Sequence, residues 1–138
     1  MDFSEKRLTV ENIHVAVGIS IFYLTVLRLI YKAFNPTPKL NNSIFPGQKI
    51  IAKLNHVFLY ISILMLTISG ALKKLYNGEE LDTFFFNLEI QDNFELAEIF
   101  YEIHITSNYT LIILITLHIF AVIVHKVLFK ENLLKRIL

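Results

Sequence analysis

The stretch that decides the fold runs from Ile103 to His125 and reads IHITSNYTLIILITLHIFAVIVH. It contains no Asp, Glu, Lys or Arg, and it exceeds the roughly 20 apolar residues that a helix needs to cross a membrane. Leu54 to Leu72 is equally free of charge, and a shorter run from Asn12 to Leu27 continues in apolar character through Tyr31. We therefore predict three transmembrane helices, at about 13–33, 51–73 and 103–127.

The composition places the whole chain in one membrane domain. Hydrophobic residues make up 54% of the 138 positions, above the roughly 45–50% of soluble domains. Three such runs in so short a chain leave no soluble partner to bury them, so we expect an all-α integral membrane helix bundle over residues 1–138. The absence of cysteine excludes disulfides, iron–sulfur clusters, thiolate zinc sites and covalently attached haem.

The charges are distributed asymmetrically along the chain. No acidic residue lies between Asn12 and Gly78. In contrast, the connection between the second and third helices is acidic, from Glu79 to Glu102. Basic residues cluster around the first connection and in the C-terminal tail: Arg28, Lys32, Lys39, Lys49, Lys53, Lys126, Lys130, Lys135 and Arg136. Because Lys and Arg mark the cytoplasmic side, we predict a multi-pass inner (plasma) membrane protein with its N-terminus outside and its C-terminus cytoplasmic.

The long outer connection contains a second helical pattern. Phe94, Ala97, Phe100 and Tyr101 recur at helical spacing, which predicts an amphipathic outer helix at about 93–102. Asp92 is its candidate N-terminal cap.

All five histidines lie inside or at the edge of a predicted span: His14, His56, His104, His118 and His125. Ionisable residues within a membrane are costly and usually functional. His104 and His118 are 14 residues apart, which places them on one face of a helix and separates them by about 21 Å. That spacing suits two ligand sites stacked across the bilayer.

The outer level has two histidines on different helices. His14 and His104 stand at the outer ends of the first and third helices, and two facing imidazoles are a natural pair of axial ligands for haem iron. Gly18 lies one turn below His14, where a missing side chain would admit a flat macrocycle or, equally, close helix packing. Arg28 is a candidate partner for an inner haem propionate, or a positive-inside anchor.

The inner level is less complete. No histidine of another helix matches the predicted depth of His118, because His56 and His125 both lie nearer the inner surface. For His56 and His125, iron ligation and a structural or propionate-contacting role remain open.

Three parts of the chain resemble the bacterial cytochrome b561 family. Asn12–Ser20 (NIHVAVGIS), followed by Arg28 and Asn35-Pro36-Thr37-Pro38, is similar to the family's second helix. His56–Tyr60, with Gly70 after it, is similar to the third helix. Glu102-Ile103-His104, then His118, His125 and Phe129–Arg136, are similar to the fourth helix and tail.

The resemblance implies the last three helices of a four-helix bundle that holds two b haems. It implies an outer haem on His14 and His104, and an inner haem on His118 and a histidine of the family's first helix. Members pass electrons between a donor and membrane quinone. Some relatives oxidise superoxide and reduce ubiquinone, and others are b-type subunits of hydrogenases or dehydrogenases.

The sequence departs from the family in lacking that first helix. We expect an incomplete gene product or a wrongly assigned start; the alternatives are a helix supplied by a separate polypeptide, or a protein that binds only the outer haem. In the last case His118 is unpaired or uses His56.

The predicted function is haem-b electron transfer between a donor and quinone in a respiratory chain, as a candidate quinone-linked oxidoreductase. A haem-free membrane anchor or assembly subunit is the main alternative. Superoxide oxidation ranks lower, because the acidic outer loop repels an anion unless Lys73 and Lys74 offset it. Divalent-metal handling is disfavoured by the lack of intramembrane Asp or Glu. The expected partners are lipid, quinone and a redox subunit or helix that supplies the missing ligand, with no nucleic acid.

Overall fold

The computed structural model describes residues 2–36 and 47–128. Its helices are α1 (Phe3–Phe34), α2 (Gln48–Tyr76) and α3 (Phe94–Leu128), and a short hairpin, β1 (Leu81–Asp82) and β2 (Asn87–Leu88), connects α2 to α3. All three helices are long and apolar enough to cross a membrane. The predicted fold class, an all-α membrane helix bundle, is confirmed. The Thr37-Pro38 break and the tail from Phe129 lie outside the described residues.

Helix α1 begins ten residues before its predicted start. Asp2 caps it: the Asp2 carboxylate accepts a hydrogen bond from the backbone of Phe3 at 2.6 Å, and Glu5 completes a capping box by accepting from the Asp2 backbone. The first turns are polar, so the apolar run marks only the part of the helix that lies in the membrane.

Helix α3 includes the stretch predicted as an amphipathic outer helix. Asn93, rather than Asp92, caps it, since its side-chain oxygen accepts from the backbone of Leu96 at 3.1 Å. Ala97 is buried, and the ring of Phe100 stacks on Tyr76 at a centroid distance of 5.7 Å. The amphipathic pattern therefore packs the beginning of α3 against the end of α2.

Helices α2 and α3 form the main antiparallel contact of the bundle, while α1 packs on α2 and makes few direct contacts with α3 among the described residues. The buried positions of the helices are mostly small or hydroxylated: Thr25, Ser62, Ser69 and Ser107. Such residues let transmembrane helices approach closely. Helices α1 and α3 are thus joined mainly through α2.

The hairpin after α2 folds back against α1. Leu81 pairs with Leu88 in an antiparallel register, and Leu81 and Thr83 are buried. The hydroxyl of Tyr23 on α1 donates to the Thr83 carbonyl at 3.0 Å, and its ring lies 5.5 Å from that of Phe85. The acidic outer connection is thus partly structured and contacts α1 well beyond its first turns.

Candidate haem site

The register between α2 and α3 sets the histidines at two levels. At one level the ring of His104 on α3 lies against Gly70 on α2. At the other, the rings of His118 and His56 lie 5.2 Å apart. Both helices advance 14 residues between the levels, which is about 21 Å along the helix axis. This distance covers most of a hydrocarbon core of about 30 Å.

The outer level brings together His14 of α1 and His104 of α3. Their ring centroids are 6.1 Å apart and the ring planes meet at 81°. Two imidazole nitrogens on opposite sides of a metal ion, each bonded at about 2 Å, have ring centres about 6 Å apart. The observed separation is therefore one at which both histidines would hold a single haem iron.

A backbone carbonyl orients the His104 ring. Nδ1 of His104 lies 2.8 Å from the carbonyl oxygen of Leu66 on α2. A carbonyl oxygen can only accept, so Nδ1 carries the hydrogen and donates it. In the neutral imidazole the free electron pair is then on Nε2, the nitrogen that would bind iron. Histidines that ligate metals usually donate their other ring nitrogen in this way.

Gly70 provides the space that this arrangement needs. A Cβ at position 70 would lie 2.9 Å from Cε1 and 3.0 Å from Nδ1 of His104. From the sequence alone, Gly70 is related to the family only and has no assigned place in the site. A signal existed: Gly70 lies near the outer end of the second apolar run, at the level predicted for His14 and His104.

Gly18, in contrast, borders open space. A Cβ added there meets no described atom within 4 Å. Gly18 therefore does not pack closely against another described helix. The position one turn from His14 remains accessible to a flat ligand.

The inner level pairs His118 with His56, one of several alternatives that the sequence allows. Their ring planes meet at 70°, and Nδ1 of His118 lies 2.8 Å from the side-chain nitrogen of Asn55. If that amide donates, Nδ1 accepts and Nε2 holds the hydrogen; a reversed amide would accept from Nδ1 and free Nε2. The two rings lie on helices that already pack closely against each other.

The chain matches the family of prokaryotic cytochrome b561 over residues 1–138. It belongs to the prokaryotic cytochrome b561 family. It is 25% identical to cytochrome b561 homolog 2 of Escherichia coli (strain K12) over 130 residues, which cover 92% of this chain and 69% of that protein. It is 28% identical to cytochrome b561 homolog 1 of the same organism over 137 residues, which cover 98% and 78%. Family membership indicates a membrane protein that binds haem b and transfers electrons.

The residues of this cytochrome b561 family member fit that cofactor. In residues 2–36 and 47–128, no three His, Cys, Asp or Glu side chains form a group that could hold a bare metal ion. Haem supplies four equatorial nitrogens of its own, so the protein needs to contribute only axial ligands. The pair His14 and His104, with the orienting carbonyl and the glycine beside it, meets that need.

Arg28 lies at the contact between α1 and α2. Its Nε donates to the hydroxyl of Tyr60 at 2.9 Å, and Nζ of Lys32, one turn further on, lies 5.3 Å from the centre of the Tyr60 ring. His125 is next to Gln48, whose side-chain nitrogen lies 3.2 Å from both ring nitrogens.

The outer rim of the cytochrome carries an ion cluster. Nζ of Lys74 lies 2.7 Å from a carboxylate oxygen of Glu79 and 3.9 Å from one of Glu11. The cluster links the outer parts of α1 and α2 above the His14 level. Lys74 is therefore already neutralised by two carboxylates.

Proposed function

We propose that this protein carries electrons across the membrane on haem b, with His14 and His104 as the axial ligands at the outer side. The observation that carries the proposal is the 6.1 Å separation of these two rings across helices that barely touch. Haem supplies the one-electron redox chemistry when it is bound. The chain supplies the ligands, their orientation and the low dielectric of the membrane.

His104 has a defined part in this proposal. Its Nδ1–H···O bond to Leu66 fixes the tautomer, holds the ring plane and makes Nε2 a better electron donor. Gly70 allows the ring to lie close enough to α2 to make that bond. His14 has more freedom, because its side chain is exposed. We infer that His104 is the preorganised ligand and that His14 completes the pair.

For the inner side we propose His118 as a second haem ligand only where a partner imidazole is supplied. A helix from elsewhere is the better source, because the helix of His56 packs closely against that of His118. With both levels in use, ligand sites about 21 Å apart would connect the two membrane faces. A donor on one side and membrane quinone as acceptor complete the proposed respiratory role.

The charge distribution supports the proposed orientation in the inner membrane. The first connection is basic, whereas the α2–α3 connection is acidic, so the positive-inside rule favours an outer position for the His14 level. Lys74 does not provide a free positive charge there, because it pairs with Glu11 and Glu79. This pairing favours a neutral or cationic donor over superoxide.

The test is haem stoichiometry of the purified protein and three single variants, measured by absorption after reconstitution. His14→Ala and His104→Ala should each lose the outer haem. His125→Ala removes an imidazole from the same helix as His104, and this variant should retain the outer haem. Equal haem content in all four proteins would contradict the ligand assignment, and a wild-type protein that binds no haem would favour the haem-free anchor.

A further inference from the structure

A groove lies between the inner halves of α1 and α2, far from the His14–His104 pair of the outer side. It has a volume of about 430 Å³, within the roughly 300–1,000 Å³ of small-molecule sites. Its walls are apolar, with Leu29 and Ala33 on α1 and Ile61 and Leu64 on α2. Lys32 and Tyr60 are the polar residues that border it.

The position of the groove relates it to one leaflet of the membrane. Lys32 follows His14 by 18 residues on the same continuous helix, about 27 Å along its axis. Since the hydrocarbon core is about 30 Å thick, Lys32 lies at headgroup level when His14 lies at the opposite interface. Leu29 and Leu64 then line the part of the groove that extends into the acyl region.

Among residues 2–36 and 47–128, the cations beside the groove form no ion pair with an acidic side chain. No Asp or Glu occurs anywhere from Asn12 to Gly78, which includes both walls. Lys32 contacts the face of the Tyr60 ring, and Arg28 uses Nε to bond the Tyr60 hydroxyl. A guanidinium has five N–H donors, so this bond leaves four others on Arg28 for an anion.

An apolar groove that ends in two cations, Lys32 at headgroup level and Arg28 one helical turn deeper, matches the chemistry of an anionic lipid. We propose that the groove between α1 and α2 binds an anionic phospholipid of the inner leaflet, with an acyl chain against Leu29, Ile61 and Leu64 and the phosphate at Lys32 and Arg28. Tyr60 holds both cations in place, through its ring face and its hydroxyl. A neutral quinone would occupy the apolar part without using the charges, so the charge pattern favours the lipid.

The test measures retained lipid by native mass spectrometry of the full chain in detergent. The probes are phosphatidylglycerol and phosphatidylcholine with identical dioleoyl chains. Lys32→Gln should reduce the preference for phosphatidylglycerol by about fivefold, the effect expected for one cation at a membrane surface. Lys126→Gln removes an equal charge from the inner end of α3 and should leave the preference unchanged.

Three results would overturn the proposal. They are no preference in the wild-type protein, equal losses in the Lys32 and Lys126 variants, and a quinone that competes with the bound lipid. A photoactivatable phosphatidylglycerol on the wild-type protein provides a check that needs no variant. Crosslinks should fall within 29–33 and 57–64, and crosslinks spread evenly over all three helices would contradict the site.

Discussion

Replacing Gly70 with alanine tests whether α2 positions the His104 ring. The new Cβ would lie 2.9 Å from Cε1 of His104 and 3.0 Å from its Nδ1. Non-bonded carbon atoms prefer about 3.5–4.0 Å, so the ring must move away from α2 by about 0.6 Å or more. Leu66 is on the same helix, and the movement would lengthen the 2.8 Å bond to its carbonyl to about 3.4 Å, beyond a normal hydrogen bond.

The expected effect on haem binding follows from the lost orientation. Removal of the group that orients a metal-ligating histidine typically costs 10- to 100-fold in affinity. We expect Gly70→Ala to weaken haem binding by about that factor, although alanine favours helix formation over glycine by about 1 kcal/mol. The affinity is measured by titrating haem into the haem-free protein in detergent and following the Soret absorbance.

Gly18→Ala is the matched control for the stability of the haem-free protein. Its Cβ meets no described atom within 4 Å, so the substitution should leave the melting temperature unchanged or raise it. Gly70→Ala should lower the melting temperature, because overpacking usually costs about 1–3 kcal/mol. Wild-type haem affinity together with unchanged melting in Gly70→Ala would refute the positioning role of α2.

Three further substitutions test other parts of the account. Gly18→Leu should fill the space near His14 and lower haem affinity without loss of helical circular dichroism; unchanged affinity would mean that no ligand lies there. Tyr23→Phe removes the donor to the Thr83 carbonyl, worth about 0.5–1.5 kcal/mol, and should speed hydrogen exchange in residues 81–88, whereas unchanged exchange would show that the contact does not hold the hairpin. Lys74→Met should lower the melting temperature slightly at low salt only, since such ion pairs contribute about 1 kcal/mol or less; a large loss at high salt would contradict a purely electrostatic role.

The helices were predictable from the sequence because the membrane imposes one simple requirement. A run such as Ile103–His125 has one energetically favourable structure in lipid, a helix that satisfies its own backbone hydrogen bonds. The beginning of α1 was not predictable from hydropathy, since Asp2 and Glu5 start it through capping in a polar segment. The hairpin had no comparable signal, because its position depends on the distant contact between Tyr23 and Thr83.

The two histidine levels differ in how far the sequence could resolve them. His14 and His104 lie at the outer ends of their apolar runs, so their predicted depth in the membrane was enough to place them at the same level. Depth did not pair His118 with His56, because α2 starts at Gln48, before its apolar run, and this extension moves His56 further from the inner end of the helix. The carbonyl of Leu66 could not be singled out either, since every residue of a helix carries the same group.

The electron paramagnetic resonance spectrum of the ferric protein tests the central claim most directly, because it reports the ligands of the iron. If His14 and His104 are the axial ligands, the wild-type protein should give a low-spin signal from six-coordinate iron. His104→Ala and His14→Ala should each lose that signal or convert it to high spin. A low-spin signal that survives unchanged in either variant would contradict the account.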